Sequence, residues 1–354
     1  MGTSNKIRPN YGRKMKQCPL STLKCQAEKE DVRMRICILG LGVIGTTYGF
    51  VFQKSGHETE HWVREGKRSH APTQVTVHML DGRNNPKGEE KEDTYKVTCA
   101  QSDMDYDFIL VSVTNGSLKN AIDTISDNHL NGSILLFCNF WCSRAEIDSM
   151  MGTRPYIICF PTAGGHMEDH LLNCALFDHI MVEGQSKSNI PNYAELSELL
   201  QSANLKAEIP FDMVEWIWLH MAINAGVTST AAQNGSLDDP RQLALDLMRD
   251  SHVLADAVRT IRETMKVVAA RGVDLKNYRN EILPYRLPAC IAGPVMKKMF
   301  ANNELTSRIM TLHSDIGDIL FGCSCVYQTA QEKGLDLPRY TQKMDHVFAV
   351  AAKR

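Results

Sequence analysis

A row of polar side chains on an otherwise apolar stretch is the part of this sequence best suited to do chemistry. The stretch WIWLHMAINAG, residues 216–226, is apolar except for His220 and Asn224. Because these two are four residues apart, they share one face if the stretch is a helix, and Thr228 extends that face by one turn. An imidazole, an amide and a hydroxyl can all exchange hydrogen bonds with a substrate. The row is therefore either a satisfied polar contact between helices or the lining of a substrate pocket.

A second candidate site lies in MRICILGLGVIG. A short β-branched run there ends in a G-x-G-x-x-G pattern, a helical segment follows, and HETEHWVRE is a second strand candidate. This order within about 30 residues is the context of a dinucleotide-binding turn, although a glycine-rich turn in another α/β protein is the alternative. The first glycine permits the tight turn, the second lets the backbone approach a pyrophosphate, and the third lets helix and strand pack closely. The predicted cofactor-binding residues of the turn are Gly40, Leu41, Gly42, Val43, Ile44 and Gly45.

The end of the second strand candidate bears on the choice between NAD and NADP. An NAD site usually has an acidic residue there, which holds the ribose hydroxyls. Here the strand is expected to end at Arg64, with Lys67 and Arg68 close behind, which favours a 2′-phosphate and hence NADP(H). Glu65 leaves NAD open because its carboxylate could hold the ribose, and Arg64 could also be an ordinary surface residue.

The rest of the first half alternates strand and helix patterns. QVTVHML and YKVTCAQ could form a small hairpin-like pair bridged by the charged loop DGRNNPKGEEKED. After it, YDFILVSV, SILLFCN, PYIICFP and HIMVEG are typical of strands. Sites in such sheets lie beyond the carboxyl ends of the strands, so we expect a site near Thr114, Asn139 and Thr162, which fall at such ends.

The second half of the chain is helical in pattern. From Met213 onward the sequence predicts only helices and turns, including a long amphipathic helix that ends at Gly272. The predicted fold class is therefore α/β plus all-α. A Rossmann-like NADP-binding domain is expected over residues 34–209 and an all-helical substrate and catalytic domain over residues 210–354, with a cleft between them.

Composition argues against several classes of function. The 354 residues carry a formal net charge of −2 and contain no long basic tract, so no nucleic-acid partner is expected. No apolar run approaches the roughly 18–20 residues that span a membrane. The eleven cysteines lack metal-like spacing, so we expect no metal site and free thiols in a reducing cytoplasm. Residues 1–33 differ in composition from the rest of the chain and are expected to be a disordered extension.

With both halves described, the chain resembles the ketopantoate reductase family (2-dehydropantoate 2-reductases) over about residues 34–347. The matching pieces are CILGLGVIG, SGHETEHWVRE, SILLFCN and the late phrase EKGLDLP. The resemblance implies an α/β domain followed by a helical domain, and reduction of a 2-keto acid by hydride transfer from NADPH. It also implies that Arg64 selects NADP and that Asn139 lies near the nicotinamide and the substrate.

The resemblance assigns roles to the polar row, with departures from the family pattern. His220 stands where the family has a catalytic lysine, whereas Asn224 keeps the family's asparagine. Thr228 replaces a second asparagine, which implies contact with the substrate. The chain is therefore a divergent member of the pattern, with histidine in place of the catalytic lysine.

Other implied site residues lie in the β-sheet half and in the late helices. Thr114 replaces a family lysine that follows the fourth strand, at the cofactor. Asp318, in GDILF, stands at the position of a family glutamate that contacts the cofactor and the catalytic region. The family's serine-rich substrate motif becomes LTSRIM here, which leaves Thr306 and Ser307 as substrate-binding candidates.

Keto reduction stays chemically possible with histidine in place of lysine. The reaction needs a hydride donor at the carbonyl carbon and a proton donor at the oxygen. A protonated imidazole can donate that proton, since its reference pKa near ~6.5 suits neutral pH, and a carboxylate, expected to be Asp318, would raise its pKa. We therefore predict a cytoplasmic NADPH-dependent 2-keto acid reductase, with His220 as proton donor, Asn224 holding the substrate oxygen, and a homodimer as the candidate assembly.

Two other functions stay open at this point. The chain could be a nucleotide-binding protein that has lost catalysis and acts as a sensor or regulator. It could also be an opine- or hydroxyacid-type dehydrogenase with another substrate. His220 would be a structural histidine between packed helices in the first case.

Overall fold

Runs of buried apolar residues build two sheets in the computed structural model, which describes residues 33–114, 116–312 and 316–351. The strands are β1 (Arg35–Leu39), β2 (Glu58–Trp62), β3 (Gln74–Asp81), β4 (Glu89–Lys96), β5 (Asp105–Val111), β6 (Asn131–Phe137), β7 (Tyr156–Phe160), β8 (Ala163–Glu168), β9 (Leu171–Leu176), β10 (His179–Val182) and β11 (Lys206–Glu208). The larger sheet has the order β11-β10-β7-β6-β5-β1-β2. Its strands from β7 to β2 are parallel, so their carboxyl ends meet at one edge, where ligands bind in such folds.

Helices cover the larger sheet and form the second half of the described chain. They are α1 (Val43–Lys54), α2 (Glu65–Arg68), α3 (Leu118–Asp127), α4 (Arg144–Met151), α5 (Tyr193–Ser202), α6 (Met213–Asn234), α7 (Pro240–Arg249), α8 (Ser251–Ala270), α9 (Arg279–Arg286), α10 (Ala289–Asn302), α11 (Glu304–Leu312), α12 (Ile316–Glu332) and α13 (Pro338–Ala351). Among the described helices, none is long and apolar enough to cross a membrane.

The smaller sheet confirms one sequence prediction in part and corrects the rest. Its order is β4-β3-β9-β8, and β3 and β4 form the predicted antiparallel pair. However, β4 occupies the segment predicted as the charged loop, because an edge strand can expose charged side chains along its length. Tyr95 is its buried anchor, with 0% of its surface exposed. The strands β8 and β9 were missed, since AGGHME lacks the usual β-branched pattern.

The helix α6 is the central element of the second half. It begins after Asp212, whose carboxylate accepts a hydrogen bond from the backbone N–H of Glu215 at 3.1 Å. The helix is apolar almost all round because it is packed on most sides, which is the usual reason for such a sequence. A Cβ built at Gly226 would lie 2.8 Å from the backbone of Ile261, so α6 and α8 meet in backbone contact.

The α/β elements end at Glu208 and the helices follow from Met213. The residues Arg33–Arg354 form one compact unit, and apolar side chains of the sheet and of α6 share one core. The domain division at residues 209 and 210 stays a prediction. The extension predicted over residues 1–33 lies, apart from Arg33, outside the described residues.

Candidate active site

The glycine turn joins β1 to α1 as the sequence predicts. Gly40 has a φ of +85°, in the left-handed region that favours glycine, and its N–H donates to the carbonyl of Trp62 at 2.9 Å. A Cβ built at Gly45 would lie 2.7 Å from the Cγ2 atom of Ile38, so no larger residue fits between helix and strand without a shift. The turn residues Leu41, Val43 and Ile44 pack against the core beneath the turn.

The space in front of the turn fits a negatively charged phosphate group. Within the described residues, no heavy atom lies within 4 Å of a Cβ built at Gly42, which precedes the first turn of α1. That first turn contains no acidic residue, so its N–H groups and the helix dipole face this space without a competing carboxylate.

Asn139 supplies a second feature that fits a ligand at the same edge of the sheet. It follows β6, which pairs with β7 up to Phe137 and Cys159. Its Oδ1 atom is buried, and within the described chain it has no hydrogen-bond partner. A buried acceptor without a partner costs free energy, so an incoming donor such as a carboxamide would be stabilising there.

Three other polar residues predicted from strand ends also follow strands, and their roles at a site stay predictions. Arg64 is exposed and caps α2, because β2 ends at Trp62, two residues earlier than expected. Thr114 is exposed, with its Oγ1 atom 3.4 Å from that of Ser117. Thr162 donates its hydroxyl to the carbonyl of His179, which is a structural contact.

The polar row on α6 faces the carboxyl edge of the sheet. The ring of His220 lies 4.6 Å from the ring of Phe160, which ends β7, and is stacked on Trp216 at 5.3 Å with an interplanar angle of 10°. The Nδ2 atom of Asn224 donates to Nε2 of His220 at 2.9 Å. His220 therefore lies beside the end of β7, and β7 pairs with β6, the strand that Asn139 follows.

The electrostatic state of His220 differs from the sequence expectation. The ring is partly accessible, but the packing around it lowers its pKa from 6.5 to about 4, through burial. The ring partner shown is the neutral amide of Asn224 rather than a carboxylate. His220 is therefore uncharged at neutral pH, whereas the sequence predicts a charged imidazole.

The remaining predicted residues lie at three places. Thr228 lies on α6, two turns beyond His220 and partly buried. Asp318 lies in α12, but its side chain is outside the part of the chain that the structure describes. Thr306 and Ser307 lie on α11, and their roles with the substrate stay predictions.

The helix α11 packs against the smaller sheet. A Cβ built at Gly164 of β8 would lie 3.0 Å from Ile309, and the Ser307 hydroxyl donates to the carbonyl of Phe300 at 2.7 Å. Arg308, on the same helix, pairs with Glu90 at 2.5 Å and Glu304 at 3.1 Å. The contacts shown for α11 thus serve packing.

The aromatic side chains around His220 were missed from sequence. Trp216 precedes His220 by four residues, so helical periodicity carried a signal for that contact. Phe160 comes from another element, and no local pattern indicated it. A cavity of about 610 Å³ beside Asp250 and Lys297 lies towards the other end of α6 and does not include the polar row.

Comparison with known proteins identifies the fold. Residues 36–169 match the family model described as ketopantoate reductase PanE/ApbA. No curated protein matches the sequence. A dimeric ketopantoate reductase from Staphylococcus aureus has a TM-score of 0.60 and 13% identity, covering 90% of this chain and 99% of that one.

Two further solved structures match to a similar extent. A putative ketopantoate reductase from Ralstonia solanacearum has a TM-score of 0.61 and 14% identity, covering 91% of this chain and 99% of that one. A D-mandelate dehydrogenase, solved with NADH and anilino(oxo)acetate, has a TM-score of 0.61 and 16% identity, with 90% and 99% covered. The predicted resemblance and fold class are confirmed: residues 36–169 match the ketopantoate reductase PanE/ApbA family model, and the chain has the ketopantoate reductase fold.

Proposed function

We propose that the protein is an NADPH-dependent reductase of 2-keto acids. The observation that carries this is the contact of His220 with Phe160, because it brings the polar row of α6 to the sheet edge at which the glycine turn also lies. Bound NADPH would supply the hydride. The residues that would hold it are those of the glycine turn, with Asn139 towards the carboxamide and Arg64 towards the 2′-phosphate.

His220 and Asn224 are the residues proposed to act on the substrate carbonyl. The Asn224 amide has two N–H donors, of which one is directed to Nε2 of His220, so the other is available to a substrate oxygen. Because Nε2 accepts that bond, the neutral ring carries its proton on Nδ1. Proton uptake at Nε2 requires the amide to turn its oxygen to the ring, because Nδ2–H and Nε2–H are both donors. The protonated ring can then donate a proton to the carbonyl oxygen of the substrate.

A negatively charged substrate supports this role. The carboxylate of a 2-keto acid near the ring raises the pKa of His220, and negative charge that develops on the carbonyl oxygen raises it further. The ring is thus neutral before binding and gains its proton together with the substrate. Asp318 is kept as the proposed carboxylate partner.

A second candidate function is favoured by the same ring. The burial that lowers the pKa of His220 also fits a structural histidine, and hence a protein that binds NADP(H) without turnover. Incubation with NADPH and a panel of 2-keto acids, including the aryl keto acid related to mandelate, separates the two. Tight NADPH binding without loss of reduced-cofactor absorbance for any acid would favour the non-catalytic function.

The pH dependence of reduction tests His220 as the proton donor. Since kcat/KM follows the free enzyme, we expect it to fall about tenfold per pH unit above pH 4, through the neutral range, as the protonated ring becomes rarer. His220→Ala is expected to reduce kcat about 10²- to 10⁴-fold with the NADPH Kd unchanged. His220→Lys is the matched variant, and its kcat/KM should be flat around neutral pH because lysine stays charged. Full turnover by His220→Ala would remove the assignment.

The open space at Gly42 makes its side chain a test of the cofactor site. Gly42→Val adds atoms where none of the described residues lies and where a pyrophosphate would pass. We expect the NADPH Kd to rise about 100-fold or more, with a loss of at most about 1 kcal/mol in the free energy of unfolding. Calorimetric titration and urea unfolding measure the two, and Gly45→Val, which collides with Ile38, should impair both. Unchanged NADPH binding by Gly42→Val would place the dinucleotide elsewhere.

Arg64 decides between the two dinucleotides. Loss of a charge-assisted contact to the 2′-phosphate in Arg64→Ser should raise the NADPH Kd about tenfold or more and leave the NADH Kd within about twofold. Arg241→Ser, at another exposed arginine on α7, is the control and should change neither. Equal losses for both dinucleotides, or none, would contradict the preference for NADP.

A homodimer is the proposed assembly. Exposed apolar residues recur every four positions along α9 and α10, and the dimeric Staphylococcus aureus protein has the same fold. They are Leu283, Leu287, Ile291, Val295 and Met299, with 61%, 39%, 51%, 53% and 45% exposed. Ile291, Val295 and Met299 share one face of α10, and an exposed apolar face is typical of a protein contact.

One charge in this face tests the dimer. Val295→Glu should shift the mass in sedimentation from dimer to monomer, because an interface burying one unpaired carboxylate is destabilised. Gln201→Glu, which adds the same charge at an exposed position of α5, should leave the dimer intact. A monomeric unchanged protein would contradict the proposed assembly.

A further inference from the structure

A fully buried histidine lies directly behind the glycine turn. His61, on β2, has 0% of its surface exposed, and its Nδ1 atom is 2.6 Å from the carbonyl oxygen of Gly40. Burial lowers the pKa of His61 to about 4, so the ring is neutral at neutral pH. A carbonyl oxygen can only accept, and therefore Nδ1 carries the proton and Nε2 is left as an acceptor.

A tyrosine of the smaller sheet forms a hydrogen bond with the acceptor nitrogen of His61. The hydroxyl of Tyr95, on β4, lies 2.7 Å from Nε2 of His61 and 3.0 Å from Oγ1 of Thr59. Tyr95 is fully buried and burial raises its pKa, so it keeps its proton and donates to His61. The Thr59 hydroxyl in turn donates to Tyr95. Every member of the row thus has a donor or acceptor of the right kind.

The helix α1 leaves room for this row. A Cβ built at Gly49 would lie 2.6 Å from the Tyr95 hydroxyl, so glycine in mid-helix admits the tyrosine. The segment after β4 is also tied to β2, since the N–H of His61 donates to the carbonyl of Thr98 at 2.7 Å. The smaller sheet is therefore connected to the back of the turn through buried hydrogen bonds.

The hydrogen bond from His61 fixes the carbonyl of Gly40. The peptide group that contains this carbonyl must keep its orientation if the turn is to bind phosphate. Gly40 has a left-handed conformation that glycine leaves easily, because no Cβ restricts it. Its N–H donates to the carbonyl of Trp62 and its carbonyl accepts from His61, two adjacent residues of β2. With both groups held, the N–H groups that follow are directed towards the ligand space in advance, which lowers the entropy cost of binding.

We infer that His61 is a positioning residue for dinucleotide binding, acting through the Gly40 carbonyl, and that Tyr95 fixes its Nδ1–H tautomer. The inference rests on the proposed function, because it assumes that the turn binds NADP(H). It gives the smaller sheet a part in cofactor affinity, although the described contacts place none of its residues beside the ligand space.

Cofactor affinity is the primary measurement. Tyr95→Phe keeps the packing and removes only the hydroxyl, so the NADPH Kd should rise about three- to tenfold. His61→Leu should raise it about tenfold or more, and His61→Asn, whose amide can replace Nδ1–H, should recover most of the loss. The double variant His61→Leu with Tyr95→Phe should bind no more weakly than His61→Leu alone, since Tyr95 acts through His61. In all of them kcat at saturating NADPH should stay within about twofold.

A matched control separates positioning from general stability. His57 is another buried histidine at the opposite end of the β2 region, and it contacts Ser202 at 2.8 Å, away from the turn. His57→Leu should lower Tm and leave the NADPH Kd unchanged. If the variants at 61 and 95 likewise lower only Tm, the inference is wrong while the proposed function stands.

The tautomer provides a readout that does not depend on activity. Nitrogen-15 spectra of histidine-labelled protein should show a neutral Nδ1–H ring that is absent from His61→Asn and altered in Tyr95→Phe. An Nε2–H tautomer for that ring would overturn the role of Tyr95. If the unchanged protein binds no NADPH, the proposed function fails, and the cofactor role of His61 fails with it.

Discussion

The contact between the rings of His220 and Phe160 is the interaction on which the candidate site depends. The glycine turn and Asn139 lie on the sheet, whereas His220 and Asn224 lie on α6, and these groups can act together only if α6 packs on the carboxyl edge of the sheet. The packing is possible because α6 is apolar on the faces that meet the sheet, α8 and α12. The polar row lies on the part of α6 that reaches the edge of the sheet, where the ring of His220 contacts Phe160.

At this edge of the sheet, the backbone groups behind the glycine turn have hydrogen-bond partners, whereas space lies in front of the turn. Behind the turn, the Gly40 carbonyl and N–H both have partners within the protein. In front, the described chain leaves space at Gly42 and an unpaired acceptor at Asn139. A fold that fixes the groups of a left-handed glycine on one side by hydrogen bonds, and leaves space on the other side, is organised for a ligand.

The sequence predicts the parts of this structure that depend on local pattern. The glycine turn, the parallel strands and the helical second half follow from periodicity and from the roles of Gly40 and Gly45. The strand β4 could not be predicted in the same way, because its charged residues are stable only at the edge of a sheet formed with distant β9. Equally, the pKa of His220 depends on Phe160, which is 60 positions away in sequence, so the residue type indicated a charged ring that the packing makes neutral.

The neutral site has a consequence for which ligands it can favour. Where the family pattern has lysines, this chain has His220 and Thr114, and the described side chains packed around His220 are aromatic or amide. Arg308 is engaged with Glu90 and Glu304. A carboxylate that arrives at His220 therefore meets its positive charge only if a proton enters with it. Each unit by which the ligand raises the pKa of the ring contributes about 1.4 kcal/mol to binding at low pH, and this contribution is lost as the pH rises through the raised pKa. For the proposed 2-keto acid substrates, discrimination in favour of the anion would thus be coupled to proton uptake, whereas a lysine would provide it at any neutral pH.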